Sequence, residues 1–171
     1  AAEDYGFIHY SRLIFPASDK NFVRLREQSG HDDTLTLSGN GQTVHIVARR
    51  IHPKLSDFSG ISKDKYTARL YQGKPFYGTD YDIPQSVFAL ERITLNGQAV
   101  PAAELQGLFS PDFAATARGS NVYQRWEAYY RHTNKTLYLF GRQSSGAGSF
   151  DVCFIFKDGK FQRRYLWNAA I

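Results

Sequence analysis

The sequence predicts a mainly β protein, a single antiparallel sheet or sandwich-like domain over residues 1–171 with one short helix. Three observations predict it. Turn-forming residues separate apolar-rich runs at Gly39-Asn40-Gly41, Asn96-Gly97 and Asp158-Gly159, and Asn-Gly and Asp-Gly suit a two-residue type I′ hairpin turn, whose central residues both need φ > 0. Apolar and polar residues alternate with period two beside these turns. Aromatic residues make up 15% of the chain, with 11 Tyr and 13 Phe, and such side chains suit a pleated, half-buried surface.

Taken in order, Tyr5 to Phe15 has a strand pattern closed by Pro16, and Phe22 to Arg26 alternates apolar and basic residues. Glu27 to Asp33 is polar and reads as loop. Thr34 to Ile51 forms a hairpin about Gly39-Asn40-Gly41, ended by His52-Pro53 because proline cannot continue a ladder. Lys54 to Lys65 reads as loop and Tyr66 to Gln72 as strand. Gly73 to Pro84 has the composition of an ordered loop, and Val87 to Leu95 is a strand leading into Asn96-Gly97. Pro101 to Phe109 is the helix candidate, since proline suits a first turn and Ala-Ala-Glu-Leu-Gln are good helix formers. Gly107 and Pro111 limit it to about two turns. Val122 to Arg131 and Thr136 to Arg142 read as strands. Phe150, Val152, Phe154 and Phe156 should face a core. Past Asp158-Gly159, the alternation groups Phe161, Arg163, Tyr165 and Trp167 on one face.

Composition narrows the function. The chain carries net charge +5, but its basic residues are scattered, whereas nucleic-acid binding calls for a concentrated stripe or a known module. No apolar run approaches the ~20 residues of a membrane-spanning helix. Cys153 is the one cysteine, so no intrachain disulfide can form and the fold rests on its core. Methionine is absent. The start Ala1-Ala2-Glu3-Asp4 suits the residues just past a small-residue signal-peptidase site, which predicts a periplasmic or secreted chain. Removal of the initiator methionine alone, or trimming, is the other account.

Candidate chemistry is sparse. The histidines at 9, 31, 45, 52 and 132 show no metal-ligand spacing such as His-x-x-x-His. No Gly-x-Ser-x-Gly elbow occurs. Cys153 lies inside a strand-like run and reads as a packing residue. No cofactor is implied. The aromatic set Tyr71, Phe76, Tyr77 and Tyr81 either stacks on a ligand or packs its own loop.

One stretch stands apart. Ser144, Ser145, Gly146, Ala147, Gly148 and Ser149 carry no bulk and no charge between two strands. Small residues let backbone approach a partner closely, and serine hydroxyls both donate and accept. The stretch is similar to the Ser-Gly loops with which bacterial lysozyme inhibitors block their targets. The likeness spans Ser144–Ser149 alone, without the tyrosine and disulfide features of those families, so it is one of mechanism. Periplasmic immunity proteins are a comparable class.

The expectation is therefore an exported, non-enzymatic protein that binds a cell-wall or membrane-directed enzyme as inhibitor or immunity-type partner. Ser144 to Ser149 form the expected contact, with Tyr77, Asp80 and Tyr81 as second choices. A glycan- or small-ligand-binding β module, and a hydrolase with a loop-assembled His/Asp site, are the alternatives.

Overall fold

The computed structural model describes residues 20–31, 33–113, 116–118, 121–123, 126–143 and 149–168. Among them, strands β1 (Phe22–Arg24), β11 (Trp126–Arg131), β12 (Thr136–Gln143), β13 (Phe150–Lys157) and β14 (Lys160–Asn168) form one antiparallel sheet in the order β1-β11-β12-β13-β14. Strands β2 (Arg26–Gly30), β3 (Thr34–Gly39), β4 (Gln42–Ile51), β7 (Val87–Leu95) and β8 (Gln98–Ala99) form the other, in the order β2-β3-β4-β7-β8. Two short ribbons, β5 (Phe58–Ser59) with β6 (Leu70–Tyr71) and β9 (Thr116–Arg118) with β10 (Asn121–Tyr123), complete the set. The protein is mainly β, as its alternation predicts. The expected strand Tyr5–Phe15 lies outside the described residues.

The turns form for the predicted reason. Asn40 and Gly41, Asn96 and Gly97, and Asp158 and Gly159 all have positive φ, between 49° and 83°. That is the primed-turn geometry whose twist matches the flanking strands.

The two sheets face each other across one apolar cluster. Leu35, Leu37, Val44, Ile46, Leu90, Ile93 and Leu95 come from one sheet, and Trp126, Ala128, Leu137, Leu139, Val152, Phe154 and Phe156 from the other. Phe150, Val152, Phe154 and Phe156 are all buried, as the alternation requires.

At its N-terminal end the described chain passes from sheet to sheet at Leu25. Phe22 to Arg26 was expected as one strand, but the strand breaks here: β1 joins one sheet and β2 the other. The Leu25 side chain is fully buried, and its N–H donates to the Ala128 carbonyl at 2.8 Å.

Three further local expectations are corrected in these sheets and their connections. Glu27 to Gly30 is strand rather than loop; it is polar throughout because it is an exposed edge, and a bulge between Glu27 and Ser29 disturbs its pairing. The helix over Pro101 to Phe109 shrinks to one 3₁₀ turn, Ala102–Glu104. Past it the chain leaves helical geometry at Gly107, with φ of 79°. Leu108 and Phe109 then bridge to Tyr77 and Ala89 in extended pairing. A short helix cannot repay its nucleation against such ladder bonds.

The third correction concerns β14. Phe156 pairs with Phe161, but Ile155 pairs with Arg163, so Gln162 is an extra residue in a bulge. The expected face of Phe161, Arg163, Tyr165 and Trp167 is thereby split. Phe161 and Leu166 pack on the core, whereas Tyr165 and Trp167 are 44% and 43% exposed. Arg164 is turned to the inner side, where its guanidinium bonds the Glu104 carbonyl and lies 3.7 Å from the Glu104 carboxylate.

This register makes a test. Deleting Gln162 removes the extra residue and leaves each inward side chain opposite its partner. Its urea midpoint should shift by the equivalent of no more than about 1 kcal/mol. Deleting Cys153, in the interior strand β13, flips half that strand and should abolish the cooperative transition.

Candidate docking surface at the loop end

The sandwich has two unlike ends. One gathers the tight turns Asn40-Gly41, Asn96-Gly97 and Asp158-Gly159. The other receives the β12–β13 connection and the long excursion between β4 and β7.

The excursion is held by its own aromatic cluster. Phe58, Ala68, Tyr71, Phe76, Val87 and Phe109 are buried together. Ring centroids of Phe58 and Tyr71 lie 5.2 Å apart, Phe58 and Phe76 5.4 Å, and Tyr71 and Phe109 5.1 Å. Tilted and edge-on pairs of this kind contribute about 0.5–1.5 kcal/mol each beyond their area. Tyr71 and Phe76 are thus packing residues and unavailable to a ligand.

Tyr77 is half-buried, and its ring lies 5.0 Å from that of Phe150. Phe150 closes the β12–β13 ladder opposite Gln143. This contact brings the excursion against the hairpin that carries the Ser/Gly stretch. Ser149 is half-buried beside Phe150, and Ser144 to Gly148 lie outside the described residues.

Beyond Tyr77 the chain makes a tight turn. Gly78 has φ of 93°, and a Cβ there would lie 2.3 Å from the Phe109 carbonyl oxygen, so glycine is required. Asp82 N–H donates to the Thr79 carbonyl at 2.8 Å, and the Thr79 hydroxyl donates to the Asp82 carbonyl at 2.9 Å. The two residues between, Asp80 and Tyr81, have φ of 55° and 65°. Both positions of such a turn favour glycine or asparagine. A bulky residue in the left-handed region costs roughly 1–2 kcal/mol. Tyr81 nevertheless sits there, 61% exposed, its ring edge-on to Phe76 at 6.2 Å.

Tyr66 joins it. Tyr66 is 73% exposed. Its carbonyl accepts from Ile83 N–H at 2.8 Å, while the Tyr81 carbonyl accepts from Ala68 N–H at 3.0 Å. The sequence reading missed Tyr66 because it assigned Tyr66 to Gln72 to one strand; only Leu70–Tyr71 form a strand, with Thr67 in an isolated bridge to Asp82. Asp64 stands nearby with its carboxyl held below the usual range by hydrogen bonds from Ser62 and the Tyr66 N–H. The loop end therefore presents two exposed tyrosines and Asp80, with the half-buried Ser149 beside Phe150.

The described histidines do not converge. His45 Nδ1 bonds the Thr36 hydroxyl at 3.0 Å and His52 Nδ1 the Gln85 carbonyl at 3.2 Å. His31 and His132 are exposed. Among the described residues, no three His, Cys, Asp or Glu side chains are grouped to hold a metal ion. No helix there is long and apolar enough to cross a membrane. At the turn end, Gln42, Leu95, Asn96, Tyr130, Lys135, Leu137, Asp158 and Gly159 line an open cleft of about 280 Å³. Its walls are polar, with Tyr130 as the single aromatic, which is a poor match to an aromatic-lined sugar pocket.

No family model matches the chain, and no match was found among curated proteins or among solved structures.

Cys153 is buried, and burial pushes its thiol up to about 12. The Tyr129 hydroxyl is likewise pushed up to about 12, first by burial and then by its hydrogen bond to Glu127. Above the ordinary thiol value of 9.0 the unfolded chain releases protons that the folded chain keeps. Stability from these two groups is therefore complete below pH 9 and is lost as pH rises toward 12. The urea midpoint should fall steadily over this window, and Cys153→Ala should flatten the slope. Native protein at neutral pH should resist thiol reagents until it unfolds.

Proposed function

We propose that the protein is an exported binding protein that docks an envelope-acting enzyme, as an inhibitor or immunity-type partner, and does so with the loop end of the sandwich. The single observation that carries this reading is Tyr81. A large, exposed aromatic side chain occupies a left-handed turn position that glycine would fill without strain. Strain of this kind persists where the surrounding structure enforces it, and it clusters at ligand clamps and binding sites. Tyrosine is also an efficient contact residue, because it offers a large amphipathic surface with few rotors to immobilise.

The neighbours of Tyr81 support the same reading. Tyr66 adds a second exposed ring. The Tyr77–Phe150 contact ties this patch to the Ser/Gly hairpin, whose small side chains would let backbone enter a partner's cleft. Aromatic anchors beside small polar residues are the common composition of adaptable protein-binding surfaces. The net charge of +5 adds attraction toward an acidic partner or an anionic envelope surface.

The test is affinity capture from an envelope extract with three baits. Wild-type chain should retain one stoichiometric enzyme and lower that enzyme's activity when added to it. Ser145→Tyr, which puts bulk into the small-residue stretch, should lose the enzyme. Tyr81→Gly should weaken binding by at least about tenfold, the equivalent of one well-packed contact of ~1.4 kcal/mol, while its urea midpoint stays level or rises. Full retention of the enzyme by both variants would refute the site. Turnover of a substrate by the purified chain would refute the non-enzymatic reading.

A further inference from the structure

The ends of the two sheets are guarded unequally. Strand β1 has three residues and β8 has two. Strand β2 is exposed along its length, polar and bulged. Short, polar and bulged strands are the usual means of keeping an edge from pairing with another chain. Strand β14 is guarded less, since its inward-turned Arg164 is already engaged by Glu104. It runs nine residues, Lys160–Asn168, and among the described residues it pairs only with β13. Its bulge at Gln162 lies beside the Asp158-Gly159 turn and leaves the stretch from Arg163 onward in regular register.

That stretch is self-complementary. Tyr165 and Trp167 flank Leu166 and lie on the outer face, 44% and 43% exposed. The Arg163 guanidinium donates to the Tyr165 hydroxyl at 3.1 Å and helps to orient the ring. We propose that two copies of the protein join through β14, antiparallel, with the two-fold axis at Leu166, so that the sheets continue into one another.

The register follows from the side chains. With the axis at Leu166, Tyr165 lies opposite Trp167 of the partner subunit, and Trp167 lies opposite the partner's Tyr165. Two aromatic pairs form on the outer face, and Leu166 meets its own copy on the inner one. Cross-strand aromatic pairs contribute roughly 0.2–1 kcal/mol each, whereas like charges directly opposite destabilise. Arg164 lies opposite Asn168 of the partner subunit, so no like charges are opposed. An axis at Arg163 or Arg164 would set an arginine against itself. An axis at Tyr165 would set Leu166 against Arg164. Two-fold dimers of this kind use one patch twice, which a residue pattern symmetric about its centre satisfies.

Sedimentation and light scattering from micromolar to near-millimolar concentration test the assembly. The mass should reach twice the 19.4 kDa of one chain. The double variant Tyr165→Lys with Trp167→Lys, which opposes like charges in both pairs, should weaken the dimer at least about tenfold. The double variant Tyr165→Lys with Trp167→Glu opposes unlike charges and should restore it. The register has a separate readout that does not depend on those variants folding. A mixture of Tyr165→Cys and Trp167→Cys chains should form a heterodimeric disulfide on mild oxidation, because directly opposite residues fall within disulfide reach. Tyr165→Cys mixed with Lys160→Cys should not. A monomer at all concentrations, a dimer indifferent to the double lysine variant, or no selective disulfide would each overturn the proposal.

Discussion

One face of each sheet must be buried against the other, and the remaining structure accommodates that requirement. With period-two side chains, any slip of one residue turns a strand's apolar set toward water. The chain handles each threat of a slip locally. In β7 the pairing steps from Val47–Arg92 to Ala48–Leu90, so Glu91 is left over and Leu90 and Ile93 both stay inside. In β14 Gln162 is left over, so Phe161 and Leu166 both stay inside. At Leu25 the strand changes sheet, and this leucine is buried where the two sheets meet. Arg164 is the cost of the second bulge. It is turned inward, and its charge is met at the margin by the carbonyl and carboxylate of Glu104.

These accommodations explain which features the sequence reveals. The hairpin turns are legible because their cause is local: two consecutive residues must take positive φ, and Asn-Gly and Asp-Gly do so with least strain. Strand β13 is legible because its four inward residues keep strict alternation with no bulge. The bulge in β14 is invisible because the aromatics at 161, 165 and 167 all fall on the same parity of the chain, and composition cannot show that Gln162 is the extra residue of a bulge. Edge strand β2 resembles a loop for a related reason. A strand with water along its length needs no apolar alternation, so Arg26 to Gly30 offer none. At Pro101 to Phe109 local propensity favoured helix, but the extended pairing of Leu108 and Phe109 with Tyr77 and Ala89 prevailed.

The candidate surface divides in the same way. Composition marks Tyr71, Phe76, Tyr77 and Tyr81 alike as aromatics of one ordered loop. Contacts separate them: two are buried in the excursion's own cluster, one bridges to Phe150, and one is exposed at the turn. The backbone of that turn holds the decisive information, and nothing in a Thr-Asp-Tyr-Asp string requires positive φ at tyrosine. Tyr66 escaped notice because its exposure depends on how its carbonyl and that of Tyr81 pair across the excursion.

The excursion can hold a strained tyrosine because its support is rigid on three sides. Gly78 is pressed against the Phe109 carbonyl, Phe76 is locked among three aromatic neighbours, and Thr79 bonds Asp82 in both directions. A cost of roughly 1–2 kcal/mol at Tyr81 is small beside the several aromatic contacts that hold the loop. It is appreciable against a net stability of ~5–15 kcal/mol. The turn end of the sandwich shows the contrast, since its positive-φ pairs are Asn-Gly and Asp-Gly, which carry little strain and present little surface. Strain and exposed aromatic area coincide at Tyr81; the turn end also holds a non-glycine residue, Lys135, at φ of 52°, but among the described residues it exposes no large aromatic ring. Lys65, Gln72 and Lys135 show that positive φ alone marks no contact, so it is the pairing of strain with an exposed ring that leads us to propose Tyr81 as a contact residue.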